Sequence, residues 1–357
     1  MILIRPHKKG SLTEPTAMPS PKRKRLEVEP FQSATSCTAS VHGVRGVLFL
    51  RWPSGRSIVL KALPDSQEAV ASIFCRMLCG IAHVFHPNVE VLWMSTERGK
   101  HLIERVRALL AEQPSTSRDR GKSLEDCSAV LLMEHIHGVP LLPAEEAPTC
   151  AMARLELPGV AYQLGRIVAV DIVLNNRDRI PLGIPAWRSY GQETVRTPPH
   201  PGNPDNLLFR ESDLTVVAID TELKRGYPEN TPAAWQPMPP ITTDSDYLEQ
   251  LKAILSGLRS ISAAKGQVSD LACYVRDGLQ RLRKGVVLSD RMLLTFQSGL
   301  IEAMDRMGEV DLQQLHASAM RLVGLREESL SAVLVRRAQR VLDVSHHHNS
   351  ESSQPHS

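Results

Sequence analysis

Lys61, Glu68, Asp178, Asn206 and Asp220 are the residues of this 357-residue chain whose types and order suit chemistry on a phosphate. Lys61 closes the apolar run Ile58-Val59-Leu60, and an ammonium on a half-buried strand is costly to desolvate without an anion beside it. Glu68, at the start of the next helical segment, supplies one, and a strand lysine held by a helix glutamate grips nucleotide phosphates. Taken alone, Lys61 reads equally well as a strand-edge lysine with its head in water. Asp178 lies in Asn175-Asn176-Arg177-Asp178-Arg179, where a loop carboxylate can accept the proton of a hydroxyl nucleophile, although a lone Asp-Arg pair is commonly a surface salt bridge. Asn206 and Asp220 end or precede short apolar runs, and an amide oxygen with a carboxylate suits a hard ion such as Mg²⁺ that also binds phosphate oxygens. Lysine, glutamate, loop aspartate, asparagine and strand-ending aspartate, spread over about 160 positions, follow the order of the parts that move a phosphoryl group from ATP.

These groups need elements to hold them. Val44–Trp52 and Ser57–Ala62 read as strands of a hairpin around the turn Pro53–Arg56, and an acidic start at Asp65–Glu68 opens a helix that Gly80 is expected to end. Further strands are expected at His86–Trp93 and Ala129–Glu134, with a charged helical excursion from Glu97 to Gln113 between them. A helix from Gly159 to Val173 leads to the polar break at Asp178, and a Pro- and Gly-rich loop runs from Ile180 to Pro204. Strands near Leu207–Phe209 and Thr215–Ile219 follow, then amphipathic helices such as Tyr247–Leu258 and Leu271–Leu282. The fold class is α+β with two lobes: a small β-rich N-lobe over 35–140 and a mainly helical C-lobe over 141–344. A basic leader, 1–34, and a polar tail, 345–357, have the composition of disordered segments.

Two weaker features belong to the same picture. Gly43 and Gly46, in the approach to the hairpin, would let backbone amides come close to phosphates, although GxGxxG spacing is absent and such glycines also serve as plain turn residues. Met133–Gly138 is the expected hinge between the lobes, where the backbone of Glu134 and Ile136 would hold an adenine edge; its plain alternative is a strand end. His135 and His137 lack a third ligand at metal spacing.

Composition narrows the partners. Apolar residues make up 42% and charged ones 23%, enough to bury a sizeable core. Lys and Arg (42) barely exceed Asp and Glu (39), so neither a nucleic-acid nor a membrane partner is expected. No apolar run approaches the ~18 residues of a membrane span. Six cysteines without CxxC pairs, Cys75 and Cys79 read as buried thiols, and the lack of a secretory signal point to a reducing, cytoplasmic setting. The run Pro21-Lys22-Arg23-Lys24-Arg25 reads either as a nuclear import address or as a chance cluster.

Leu164–Leu182, with Gly202-Asn203-Pro204-Asp205-Asn206-Leu207-Leu208-Phe209, resembles the catalytic domain of actin-fragmin kinase, as do Val59-Leu60-Lys61 and Gln67–Ser72. The resemblance implies an atypical eukaryotic protein kinase with a two-lobed, protein-kinase-like fold, using ATP and Mg²⁺ to phosphorylate a protein hydroxyl, which in the founding case is a threonine of actin. By the same resemblance Lys61 would hold phosphates, Glu68 would orient it, Asp178 would be the catalytic base, and Asn206 with Asp220 would bind magnesium. No repeats resembling the founding protein's kelch propeller are present, so a protein substrate is expected and actin stays open. His-Arg-Asp, Asp-Phe-Gly and Ala-Pro-Glu signatures are missing, and Asp220-Thr221-Glu222 takes the second place. A pseudokinase or scaffold, and a phosphoinositide-like lipid kinase, are the alternatives.

Overall fold

The computed structural model describes residues 26, 28–39, 47–113, 124, 126–143, 145–157, 159–174, 176, 179–181, 202–221, 252–258, 266–325 and 331–346. Its N-terminal lobe is one antiparallel sheet with a helix on each face. β1 (Ser36–Ala39), β2 (Val47–Arg51) and β3 (Ser57–Leu63) form a meander. α1 (Ser66–Ile81), β4 (Val89–Trp93), α2 (Glu97–Ala111) and β5 (Ala129–Glu134) follow, and β5 inserts between β3 and β4 to give the order β1-β2-β3-β5-β4. Gly55, in left-handed backbone at φ 84°, makes the β2–β3 turn possible.

The period-two alternation of β3 decides what faces what. Ile58, Leu60 and Ala62 point outward, where they pack with Leu48, Leu50, Val130 and Leu132 under Leu102, Val106 and Leu109 of α2. Ser57, Val59 and Lys61 therefore share the inner face. Phe31 (3% exposed) and Ala34 (0%) also join the outer core, and the Trp52 indole donates to the Pro30 carbonyl at 3.0 Å. The folded lobe thus starts earlier than the leader boundary expected at 34, because one aromatic and a small residue suffice to plug the sheet end; residues 1–25 lie outside the described residues.

α1 opens on Asp65, whose carboxylate accepts from the backbone of Gln67 (2.9 Å) and Glu68 (3.0 Å). Gly80 does not end this helix. It sits inside, and the stop comes at His83, which takes the left-handed position (φ 53°) while the Val84 N–H reaches back to the Cys79 carbonyl at 2.8 Å. The link after α1 then touches the other lobe, since the Ala218 N–H donates to the Phe85 carbonyl at 2.9 Å.

Residues 135–138 connect the two lobes. Beyond them lie β6 (Val139–Pro140), α3 (Pro148–Leu155), α4 (Val160–Leu174), β7 (Leu207–Arg210) and β8 (Thr215–Ala218), the strands forming a three-stranded antiparallel sheet in the order β6-β7-β8. A short helix over 252–258 precedes α5 (Asp270–Leu282), α6 (Asp290–Gly308), α7 (Leu312–Val323) and α8 (Ser331–His346). Ser269, Ser289 and Asp311 cap α5, α6 and α7 with their side chains. α4 is buried on nearly every side and lies directly against α6. At the crossing the backbones meet through Gly165 and Gly299, where a Cβ would collide with the carbonyls of Phe296 and Tyr162. Among the described residues no single helix is long and apolar enough to cross a membrane.

α1 belongs to both lobes. Ala69, Val70, Phe74 and Leu78 share one apolar core with α4, α6 and α7, and the Phe74 ring meets His316 of α7 edge-on at 6.2 Å. Four of the six cysteines, Cys37, Cys75, Cys79 and Cys127, are buried, and burial pushes the Cys37 and Cys79 thiols up to about 12. The folded protein should therefore lose its exposed Cys150 to a maleimide long before Cys37 or Cys79, a difference that mass spectrometry of timed samples reads and that denaturant should erase.

Candidate active site

Lys61 leaves the inner face of β3, and its Nζ meets Asp220 Oδ1 at 2.5 Å, joining the lobes across 159 positions of chain. The lysine side chain is 12% exposed and the carboxylate 36%, so the pair sits at a cleft mouth with the cation deeper. Glu68, the expected partner, occupies the first turn of α1, half-buried, with its backbone N–H given to the Asp65 cap. The ion pair across the cleft is made to Asp220.

Asn206 and Asp220 come together because β7 and β8 pair with Leu207 opposite Ala218, which leaves both residues just past that register on one side of the hairpin. Asn206 closes a 3₁₀ turn, Pro204–Asn206, capped by Asn203. Its side chain is nearly buried (5%), its Oδ1 accepts from Asn203 Nδ2 at 3.3 Å, and its carbonyl accepts the Ile219 N–H at 3.1 Å. Asp220 adopts left-handed backbone at φ 54°. Among the described residues no three His, Cys, Asp or Glu side chains gather as a metal cluster. An amide and a carboxylate oxygen at adjacent strand ends fit a divalent ion whose other ligands are phosphate oxygens and water, the donor set that magnesium takes with nucleotides.

Arg179, to which the sequence assigned no role, turns out to be central. Arg179 is completely buried (0%) and ion-paired with Asp171 of α4, whose carboxylate also accepts from Asn176 Nδ2 at 3.1 Å. Its guanidinium further donates to the Ile219 carbonyl at 2.9 Å, to the Asn206 carbonyl at 3.4 Å and to the Thr221 hydroxyl. Cys79 of α1 packs beside this group; burial raises its thiol pKa, while the Arg179 charge and a hydrogen bond to Thr221 oppose the rise. The signal available in the sequence was Asp171, the one acidic residue of an apolar helical run, which implies a buried counter-ion.

The hinge expectation fits the connector 135–138. Glu134 closes β5, its N–H donates to the Asn88 carbonyl at 2.8 Å, and its carboxylate accepts from Asn88 Nδ2 at 2.7 Å. Arg76 of α1 holds the same Asn88 at 3.2 Å, so the hinge and α1 are braced together. Ile136 is half-buried in the connector. On the inner face beside it, Val47, Phe49 and Val59 are half-exposed and form an apolar shelf, edged by the His135 ring at 5.4 Å from Phe49. Burial lowers the pKa of His135, with His137 and Arg51 adding to it, and its Nδ1 lies 2.6 Å from Ser57 Oγ. Asp178, Gly43 and Gly46 lie outside the described residues; the two sequence neighbours of Asp178 that are described, Asn176 and Arg179, are both buried anchors.

The model of the family "Actin-fragmin kinase, catalytic" matches residues 26–304 of this chain. Over 118 residues, 30% of the chain, the sequence is 29% identical to the dual specificity protein phosphatase PHS1 of Arabidopsis thaliana, and it covers 11% of that protein. The chain thus spans about a tenth of the length of that curated relative. Among solved structures, the apo form of a thermostable mutant of aminoglycoside phosphotransferase APH(4)-Ia is similar at 13% identity over 91% of this chain and 97% of that one, with a TM-score of 0.31. The apoenzyme of macrolide 2'-phosphotransferase MphH from Brachybacterium faecium is similar at 13% identity over 82% and 94%, with a TM-score of 0.27. The fold stands on the sheet order and the family match. That match takes in the strand that carries Lys61, the turn of Asn206 and the carboxylate of Asp220, and the chain belongs to the actin-fragmin kinase catalytic family.

Proposed function

We propose that this chain is an ATP- and Mg²⁺-dependent protein serine/threonine kinase of the cytoplasm, with actin or an actin-associated protein among its candidate substrates. The observation that carries this reading is the Lys61–Asp220 pair across the cleft, with Asn206 at the neighbouring strand end. An ammonium at bonding distance from a metal-binding carboxylate is where nucleotide phosphates are gripped on one side and their metal on the other. The apolar shelf of Val47, Phe49 and Val59 against the hinge suits a flat base, whose edge the backbone at Glu134 and Ile136 would meet.

In this reading Lys61 holds phosphate oxygens, and Asn206 and Asp220 hold the ion, which when bound supplies charge neutralisation at the phosphates. Asp178 receives the proton of the acceptor hydroxyl as the hydroxyl oxygen bonds to the γ-phosphorus and the bond from that phosphorus to the β–γ bridging oxygen breaks, releasing ADP. Glu68 steers Lys61 within the cleft, and Gly43 and Gly46 keep the phosphate-contacting role that the sequence suggests for them.

The test is transfer of labelled γ-phosphate to a panel of proteins that includes actin, with phosphoinositide vesicles as a separate acceptor. Lys61→Met should lower transfer about 100-fold or more while the protein stays folded. A folded wild-type chain that neither binds ATP nor transfers phosphate to any protein would overturn the reading.

A further inference from the structure

Asp220 holds left-handed backbone (φ 54°), which an aspartate reaches more easily than most side chains but keeps only where its surroundings fix it. Here the flanking groups on both sides, the Ile219 carbonyl and the Thr221 hydroxyl, accept from one nitrogen of Arg179, the first at 2.9 Å. Nε of the same guanidinium faces the Asn206 carbonyl at 3.4 Å. A planar fork of donors can span these acceptors at once, and no lysine can copy it. Asp171 neutralises the charge on the helix side, so the fork is tolerated at zero exposure.

We propose that Arg179 is a positioning residue that sets Asn206 and Asp220 for the metal ion, with Thr221 as its contact on the far side of Asp220. The inference rests on the magnesium reading above. Arg179 touches no substrate: it acts by fixing the backbone from which the two oxygen ligands extend, as outer contacts of metal sites commonly do.

The experiment titrates Mg²⁺ against binding of a fluorescent ATP analogue, with a parallel measurement in chelator and a thermal melt for each variant. Thr221→Val removes one of the contacts and leaves the buried ion pair, Arg179→Lys keeps the charge without the fork, and Thr221→Ser keeps the hydroxyl. Half-saturating Mg²⁺ should rise roughly tenfold in Thr221→Val and further in Arg179→Lys, while binding in chelator is unchanged and Thr221→Ser behaves as wild type. A purely structural role predicts a lower melting temperature at an unchanged Mg²⁺ midpoint, and that result in Thr221→Val would overturn the proposal even if Arg179→Lys did not fold. Wild-type binding that ignores Mg²⁺ altogether would sink the magnesium reading itself, and this inference with it.

Discussion

Asp178→Asn should lower turnover by about 10²- to 10⁴-fold while the affinity for ATP hardly changes. The amide has the size of the carboxylate but cannot take up a proton, so only the step that needs a base suffers. In the proposed function nucleotide binding falls to other groups: Lys61 on β3, the apolar shelf beside the hinge, and the oxygens of Asn206 and Asp220. Single-turnover transfer beside equilibrium ATP binding separates the two quantities. A variant as fast as the parent would remove Asp178 from the reaction and leave the hydroxyl proton to another acceptor.

The second large effect is on stability. Gly165→Ala and Gly299→Ala should each cost about 3 kcal/mol or more, read as a drop in denaturant midpoint at constant slope. At Gly165 the new methyl would meet the Phe296 carbonyl and the Leu300 nitrogen, and at Gly299 the Tyr162 backbone, and backbone cannot swing aside as a side chain can. Gly80→Ala is the matched control. It lies inside α1 with nothing within 4 Å of where the methyl would stand, and should stabilise by about 0.5–1 kcal/mol through helix propensity. Equal losses at all three sites would mean that the α4–α6 contact is looser than the backbone spacing indicates.

Much of this architecture is legible from local patterns. The alternation around Lys61, the acidic cap at Asp65, and the apolar runs that follow Asn206 and precede Asp220 each imply their element, because period and capping are local properties. The five polar positions could be ordered along the chain but not paired. Nothing in spacing says that Lys61 meets Asp220 across the cleft, since that contact depends on how two lobes stack. Asp171 hints at a buried counter-ion, but for the same reason the sequence does not say that it is Arg179. A loop Asp-Arg pair is usually at the surface, and only the fold brings Asp171, Ile219 and Thr221 around the guanidinium. Gly80 misled because a glycine near a helix end normally marks the cap, whereas His83 takes that position here.

The rooting of α1 in the lower lobe bears on how such an enzyme is switched. In a kinase whose corresponding helix is free to swing, moving it in and out is a ready means of control. Here an outward swing would drag Val70, Phe74 and Leu78 out of the core they share with α6 and α7, at about 1.5–3 kcal/mol for each side chain exposed. Such a cost makes the outward excursion rare at rest, so this helix is built as a fixed post rather than a lever.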